Sequence, residues 1–209
     1  MVLTGQFSDD DPEIGAELKR LRVGKAQFFT NAISTTTRGL DVVVSHTANI
    51  GKGKLLSTLA MNFNRLDIDQ VKTNDKLAGK EDIYFDLRER YFARAAAPNS
   101  KINLTFDYNK GKFGALLRFV RFGEVVLANW NYDETDLDVY SPKVTTDVAL
   151  RYAFSKQAAL AIGVNNVFNV YPDRSLPSLT ESGGAWDPVQ MGNNGAFYYA
   201  RLNIRLSKN

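Results

Sequence analysis

The sequence predicts an all-β fold: an antiparallel meander of about eight strands belonging to a transmembrane β-barrel, with short helices in its long external loops. Three observations carry this. Apolar residues recur at every second position over most of the 209-residue chain, the period of a strand with two unlike faces. The links between these runs alternate strictly between long and short. No apolar run approaches the roughly 18 residues of a membrane helix, which leaves a barrel as the spanning solution, because only there do all strand backbone groups pair.

Taken in order, Val2 to Phe7 is an incomplete first strand. The long link over residues 8–35 contains "DPEIGAELKRLRV", where Asp11 suits an N-cap, Pro12 the first turn, and Ile14, Leu18 and Leu21 one helical face. "GLDVVVSH" sets Leu40, Val42 and Val44 against Asp41, Val43 and Ser45, and "LSTLAMNFNR" sets Leu59, Met61 and Phe63 against Ala60, Asn62 and Asn64. The turn-rich "NIGKGK" joins them. Residues 67–99 form the next long link, and "EDIYFDLRERYFARAAAP" within it reads as a helix ended before Pro98; as a strand it would put long and short links out of phase.

"SKINLTFDYNKGKF" places Ile102, Leu104, Phe106 and Tyr108 opposite Asn103, Thr105, Asp107 and Asn109. The run from Phe113 to Val126 is apolar on both faces, with a register that a bulge would shift. After a long link over 127–141, "KVTTDVALRYAF" opposes Val144, Val148, Leu150 and Tyr152 to Thr145, Asp147, Ala149 and Arg151. "AALAIGVNNVF" opposes Leu160, Ile162, Val164 and Phe168 to Ala159, Ala161, Gly163 and Asn165. The last run, "FYYARLNIRL", opposes Tyr198, Ala200, Leu202, Ile204 and Leu206 to Tyr199, Arg201, Asn203 and Arg205. With short links at one rim and long loops at the other, the layout is that of an outer-membrane barrel; soluble sandwiches mix their loop lengths. The alternation alone also fits a soluble sheet with one face on a core and one in water.

Composition excludes more chemistry than it suggests. The net charge is +3 and the Lys and Arg residues are dispersed, without the basic stripe of a nucleic-acid partner. There is no cysteine and a single histidine, His46, so a nucleophilic triad or a multi-histidine metal site has little to draw on. "DDDPEIG" lacks the glycine position and terminal glutamate of a calcium loop, and "GKGK" lacks the spacing of a phosphate cradle. No enzyme and no cofactor are expected.

"GVNNVFNVYPD", residues 163–173, resembles the penultimate-strand motif of TonB-dependent outer-membrane receptors. "AQFFTNAISTTTRGLDV", "NFNR", "PNSKINLTFDY", "RFGEV", "SPKVTTDVALRYAF" and "FYYARLNIRL" resemble further segments of that family in the same order. The resemblance covers roughly Val2 to Leu206 and implies residues 1–209 as the C-terminal part of a barrel that has 22 strands in intact members. No signal peptide, energy-coupling box or plug is expected within the chain. It also implies a Gram-negative outer membrane, with lipid, a plug domain, an inner-membrane energy transducer and a small solute (metal chelate, vitamin or glycan) as partners.

On that reading Asp41, Asn103, Asp107, Asp147, Arg151, Asn165, Arg201 and Arg205 face a polar lumen. Trp130, Tyr132 and Trp186 in the long loops are the candidate ligand contacts, rim anchoring or loop packing being the plainer role for them. Asn166 and Asn169 are expected at the outer rim, Phe168 and Tyr171 in an aromatic girdle there, and Pro172 at the end of the ladder. A self-contained small β-barrel, a soluble β-sheet binding module and a non-functional receptor fragment are the alternatives.

Overall fold

A computed structural model describes residues 2–8, 10, 12, 15–31, 33–72, 79, 81, 85–95, 98–128, 137–175, 184–186 and 190–205. Its strands are β1 (Val2–Ser8), β2 (Lys25–Asn31), β3 (Ile33–Ile50), β4 (Gly53–Val71), β5 (Ser100–Lys110), β6 (Phe113–Phe122), β7 (Val125–Ala128), β8 (Leu137–Tyr140), β9 (Lys143–Ala153), β10 (Ala158–Asn165) and β11 (Phe197–Ile204). Helices α1 (Gly15–Leu21) and α2 (Leu87–Ala95) lie in long links as expected. Seven strands form one antiparallel sheet in the order β11-β10-β9-β6-β5-β4-β3, while β1 pairs with β2 and β7 with β8. Among the described residues β11 and β3 are the two ends of the sheet and do not pair with each other. The sheet is an open arc, not a closed small barrel.

The turns at one rim are tight. Gly51 (φ 57°) and Gly111 (φ 58°) each open a two-residue hairpin, and glycine in the first central position with positive φ matches the right-handed twist of the strands it joins. The links at the other rim hold α2, the β7–β8 hairpin and the described residues between β10 and β11.

Directly paired residues share a face, so the register tests the expected alternation. One face collects Leu40 with Phe63, Val44 with Leu59, Leu59 with Leu104, Phe106 with Leu117, Leu150 with Ile162, and Leu160 with Leu202. These residues have no layer over them: Leu150 is 61% exposed, Leu202 59% and Leu40 58%. At the turn rim the same face carries an aromatic cluster, Phe113 on Tyr152 at 4.8 Å between centroids and Tyr152 edge-on to Phe154 at 5.1 Å. At the loop rim it ends on Arg38 and Arg65, paired in register and both reaching Asp67.

Several boundaries differ from expectation. β3 and β4 have 18 and 19 residues, twice the 9–11 that cross a bilayer, so their loop-side halves extend past a membrane-crossing length, and β2 lies within the predicted link. The run from Phe113 is not bulged: β6 stops at Phe122, Gly123 bonds Ser100 (N to O 2.8 Å), and Val125 starts a separate hairpin. The register shift falls instead between Ser34 and Thr35. α1 starts at Gly15 rather than Pro12 and leaves Leu21 exposed while Leu18 is buried; Asp11 and Ile14 lie outside the described residues.

The fully buried large side chains are not in the seven-stranded sheet but in its loops. Tyr140 and Val125 meet in the β7–β8 hairpin with Leu127. Phe85 is completely buried against Ile33, Ile68, Val71 and Ala93, which docks the α2 link on the projecting ends of β3 and β4. Asp86 caps α2, its carboxylate accepting from Glu89 N at 2.8 Å. Phe85→Ala is expected to cost about 3 kcal/mol locally and to release this link: limited proteolysis should cut within residues 72–99 while β5, β6 and β9 keep their amide protection.

Candidate functional site

The second face of the sheet carries the polar side chains, and its small residues decide where they reach. Three rows cross it. Arg118 pairs with Asp147, and one step beyond the Val148–Val164 pair Asn165 opposes Phe197. Next come Leu116, Ala149, Gly163 and Tyr199, and then Gly114, Arg151, Ala161 and Arg201.

Asp147 is the junction of the first row. It is buried, its Oδ2 accepts from Arg118 Nε at 2.8 Å, and its Oδ1 accepts from the backbone N–H of Asn166 at 2.8 Å. One carboxylate thus ties β6, β9 and the end of β10, with both oxygens used by charge-assisted bonds. The paired asparagines now have separate causes. Asn165 is the last strand residue, whereas Asn166 (φ 53°) and Asn169 (φ 55°) adopt the left-handed conformation that asparagine tolerates. Asn166 closes the turn on itself, Nδ2 donating to Val170 O at 2.7 Å and Oδ1 accepting from Val170 N at 2.9 Å. Asn169 Oδ1 accepts from Ala196 N at 2.9 Å, bringing the chain back toward β11.

Two expectations for this segment are corrected. The ladder ends at Asn165, so Phe168 lies beyond the strand and Pro172 does not terminate it; the backbone of 166–169 has already turned away. Tyr171 is not a free girdle residue, since its ring stacks on Trp186 at 5.2 Å and 14°.

Arg151 makes the longest reach. Its guanidinium crosses Gly114 on β6 and pairs with Asp107 on β5, Nη1 to Oδ2 being 3.0 Å, with Asn109 also accepting. A Cβ at Gly114 would stand 2.8 Å from Arg151 Nε, so glycine is what lets the side chain lie across the strand. Farther along, Asn62 Nδ2 donates to Asp41 Oδ1 at 2.7 Å. Asn103 lies on the same face between Ala60 and Val120. Arg201 and Arg205 are exposed, Arg205 N still bonding Gln157 O at 2.8 Å.

Of the three aromatic candidates, Trp130 and Tyr132 lie outside the described residues. Trp186 is half-buried: Nε1 donates to Pro172 O at 3.1 Å and Arg174 stands 5.3 Å over the ring. Sequence reasoning missed Arg118, whose register was unresolved, and the loop fasteners. Gln190, buried, donates from Nε2 to the carbonyls of Gly123 (2.8 Å), Tyr140 (3.1 Å) and Ser141 (2.8 Å). Asp173 accepts from Lys143 and from the backbone and hydroxyl of Ser141. The Lys143 ammonium foremost, then the Ser141 hydroxyl, hold its carboxyl below the ordinary carboxylate range. No motif marks these residues, because each partner is at least 30 positions away.

Asp147→Ala is expected to lower stability by about 2 kcal/mol, since it strands Arg118 and the Asn166 N–H together; a urea midpoint in detergent reads this. The Asp173 tether has the sign of a depressed carboxyl: its contribution is complete above the unfolded value near 4 and is lost as pH falls through the lower folded value. Hydrogen-exchange protection factors of residues 166–175, taken against the intrinsic rate at each pH, should therefore fall from pH 5 to pH 3, and Lys143→Met should remove much of that dependence.

Comparison with known proteins adds the family. The model described as "TonB dependent receptor-like, beta-barrel" matches residues 3–167. No curated protein matches the chain. Among solved structures, "Copper transporter OprC" superposes with a TM-score of 0.50 at 13% identity, over 98% of this chain and 26% of that one. The likeness is one of fold, and the chain spans about a quarter of that protein's length. With its family match, its open seven-stranded sheet and its segregated faces, the chain belongs to the TonB-dependent receptor-like β-barrel family.

Proposed function

We propose that residues 1–209 are the C-terminal part of the barrel wall of a TonB-dependent transporter, in the outer membrane of a Gram-negative bacterium, for active uptake of a scarce solute such as a metal chelate, vitamin or glycan. The observation that carries this is the uncovered apolar face of seven strands, set between an aromatic cluster at the turn rim and Arg38, Arg65 and Arg121 toward the loop rim. That face meets lipid, and a charged side chain there would cost roughly 2–4 kcal/mol at mid-bilayer. The opposite face, with Asp41, Asn103, Asp107, Asp147, Arg151, Asn165, Arg201 and Arg205, faces the lumen of the intact barrel.

In this mechanism the chain performs no catalysis. The loops receive the solute, with Trp130 and Tyr132 as proposed contacts and Trp186 acting through its hold on residues 171–174. A plug domain of the intact receptor rests on the lumenal face, and an inner-membrane energy transducer displaces it to open the path. The copper that OprC transports is not carried over to this chain: among the described residues no three His, Cys, Asp or Glu side chains gather as a metal site. A soluble binding module is disfavoured by the absence, among the described residues, of any layer over Leu150, Ile162 and Leu202.

The cysteine-free sequence suits a direct test by single nitroxide labels in outer-membrane vesicles. Labels at Leu150→Cys and Ile162→Cys should relax with oxygen and resist a water-soluble nickel chelate. Labels at Asn103→Cys and Thr105→Cys should resist oxygen. If the Leu150 and Ile162 labels respond mainly to nickel, the transporter-wall reading is wrong.

A further inference from the structure

The polar face holds one depression that neither the wall nor the loop fasteners require. About 390 Å³ in volume, it is lined by Arg118, Asn165, Phe197, Tyr199, Ala200 and Arg201, within the usual size range of small-molecule sites. Its shape follows from the three rows. Small residues, Ala149, Gly163 and Ala161, occupy the middle positions, and bulky ones stand at the ends. Tyr199 is laid over Gly163: a Cβ there would lie 2.6 Å from the phenol ring carbon and 2.8 Å from Val148 O. The ring is thereby held flat on the sheet beside Arg201.

The charge balance is uneven. Arg118 spends its Nε and Nη2 on Asp147, and Arg151, in the row of Arg201, is matched by Asp107. Arg201 is exposed, and among the described residues no carboxylate stands within ion-pair reach of it. One uncompensated guanidinium therefore remains, next to two aromatic rings, with the free edge of Arg118 and the Asn165 amide on the far side.

We infer that this depression is a subsite for a small organic anion, a carboxylate or phosphate borne on a planar ring, entering the lumen as solute. The inference rests on the transporter reading and narrows its solute class. Arg201 supplies the forked donor that fits a carboxylate or phosphate. Tyr199 and Phe197 pack against the ring, and Asn165 donates or accepts at its edge. A neutral ring gains only the aromatic part, and a bare inorganic anion only the charged part.

Equilibrium dialysis of the full chain, refolded in detergent, with benzoate, phenyl phosphate and uncharged benzamide tests this. Both anions should bind and benzamide should not. Arg201→Gln should weaken the anions at least about tenfold, the scale of a lost charge-assisted bond, and Arg201→Lys by less. Arg205→Gln, four residues on and also exposed, should leave binding unchanged. A retained β-sheet circular-dichroism spectrum and an unchanged urea midpoint show that each variant folds. Equal anion binding in Arg201→Gln, an equal loss in Arg205→Gln, or benzamide bound as well as benzoate overturns the subsite. So does the failure of both anions to bind, which would assign Arg201 to a carboxylate of another protein segment. The nitroxide test stands apart: lipid-facing labels without anion binding sink only the subsite, and anion binding with nickel-accessible labels sinks only the transporter wall.

Discussion

Each inner strand of the seven-stranded sheet pairs its amides on both sides, as a wall with one face toward lipid in the proposed barrel requires. This constraint accounts for the long ladders, sixteen consecutive paired positions of β3 from Thr35 to Ile50 against β4, and for where they break. The ladders are interrupted at Ser34, at Gly123 and after Asn165, all toward the loop rim, where bulk water satisfies a freed N–H or C=O at little cost. Where the break is buried, a side chain takes over: Asp147 accepts from Asn166 N, and Gln190 donates to three carbonyls.

The same constraint shapes the electrostatics. Most charges of the sheet sit on the polar face, Arg121 beside Ile102 and Val144 standing on the other toward the loop rim, and the ion pairs of the polar face run across strands rather than along them. Asp147 joins Arg118 from β6, and Asp107 joins Arg151 from two strands away. Such pairs fix which strand lies next to which, in a sheet whose apolar face has little to distinguish one register from another. That the pairing also needs Gly114 shows side-chain size acting as part of the charge pattern. Arg201, in the same row as Arg151, has no such partner among the described residues, and the depression lies beside it.

The loops behave as a separate globular layer. Phe85, Tyr140 and Val125 are more deeply buried than any residue of the sheet's apolar face, because loops standing in water must bury apolar surface as soluble proteins do. In the proposed barrel wall the solvent of the spanning region is itself apolar, so Leu150 and Leu202 need no cover. Two kinds of hydrophobic organisation, one folded inward and one turned outward, meet near Arg38 and Arg65.

Period-two alternation made the strand faces, the tight turns and the helices in the long links legible from residue order, since each depends on neighbours within a few positions. The family motif was legible too, but not its mechanism: that Asn166 turns left-handed to present its N–H to Asp147 depends on a carboxylate 19 positions away. The length of β3 and β4, the β7–β8 hairpin, the open edges at β11 and β3, and the fasteners at Gln190 and Asp173 emerged only in three dimensions. They share one physical reason. A periodic pattern reports which solvent each face meets, whereas the end of a strand, the reach of an arginine over a glycine and the closure of a loop are set by partners that folding alone brings together.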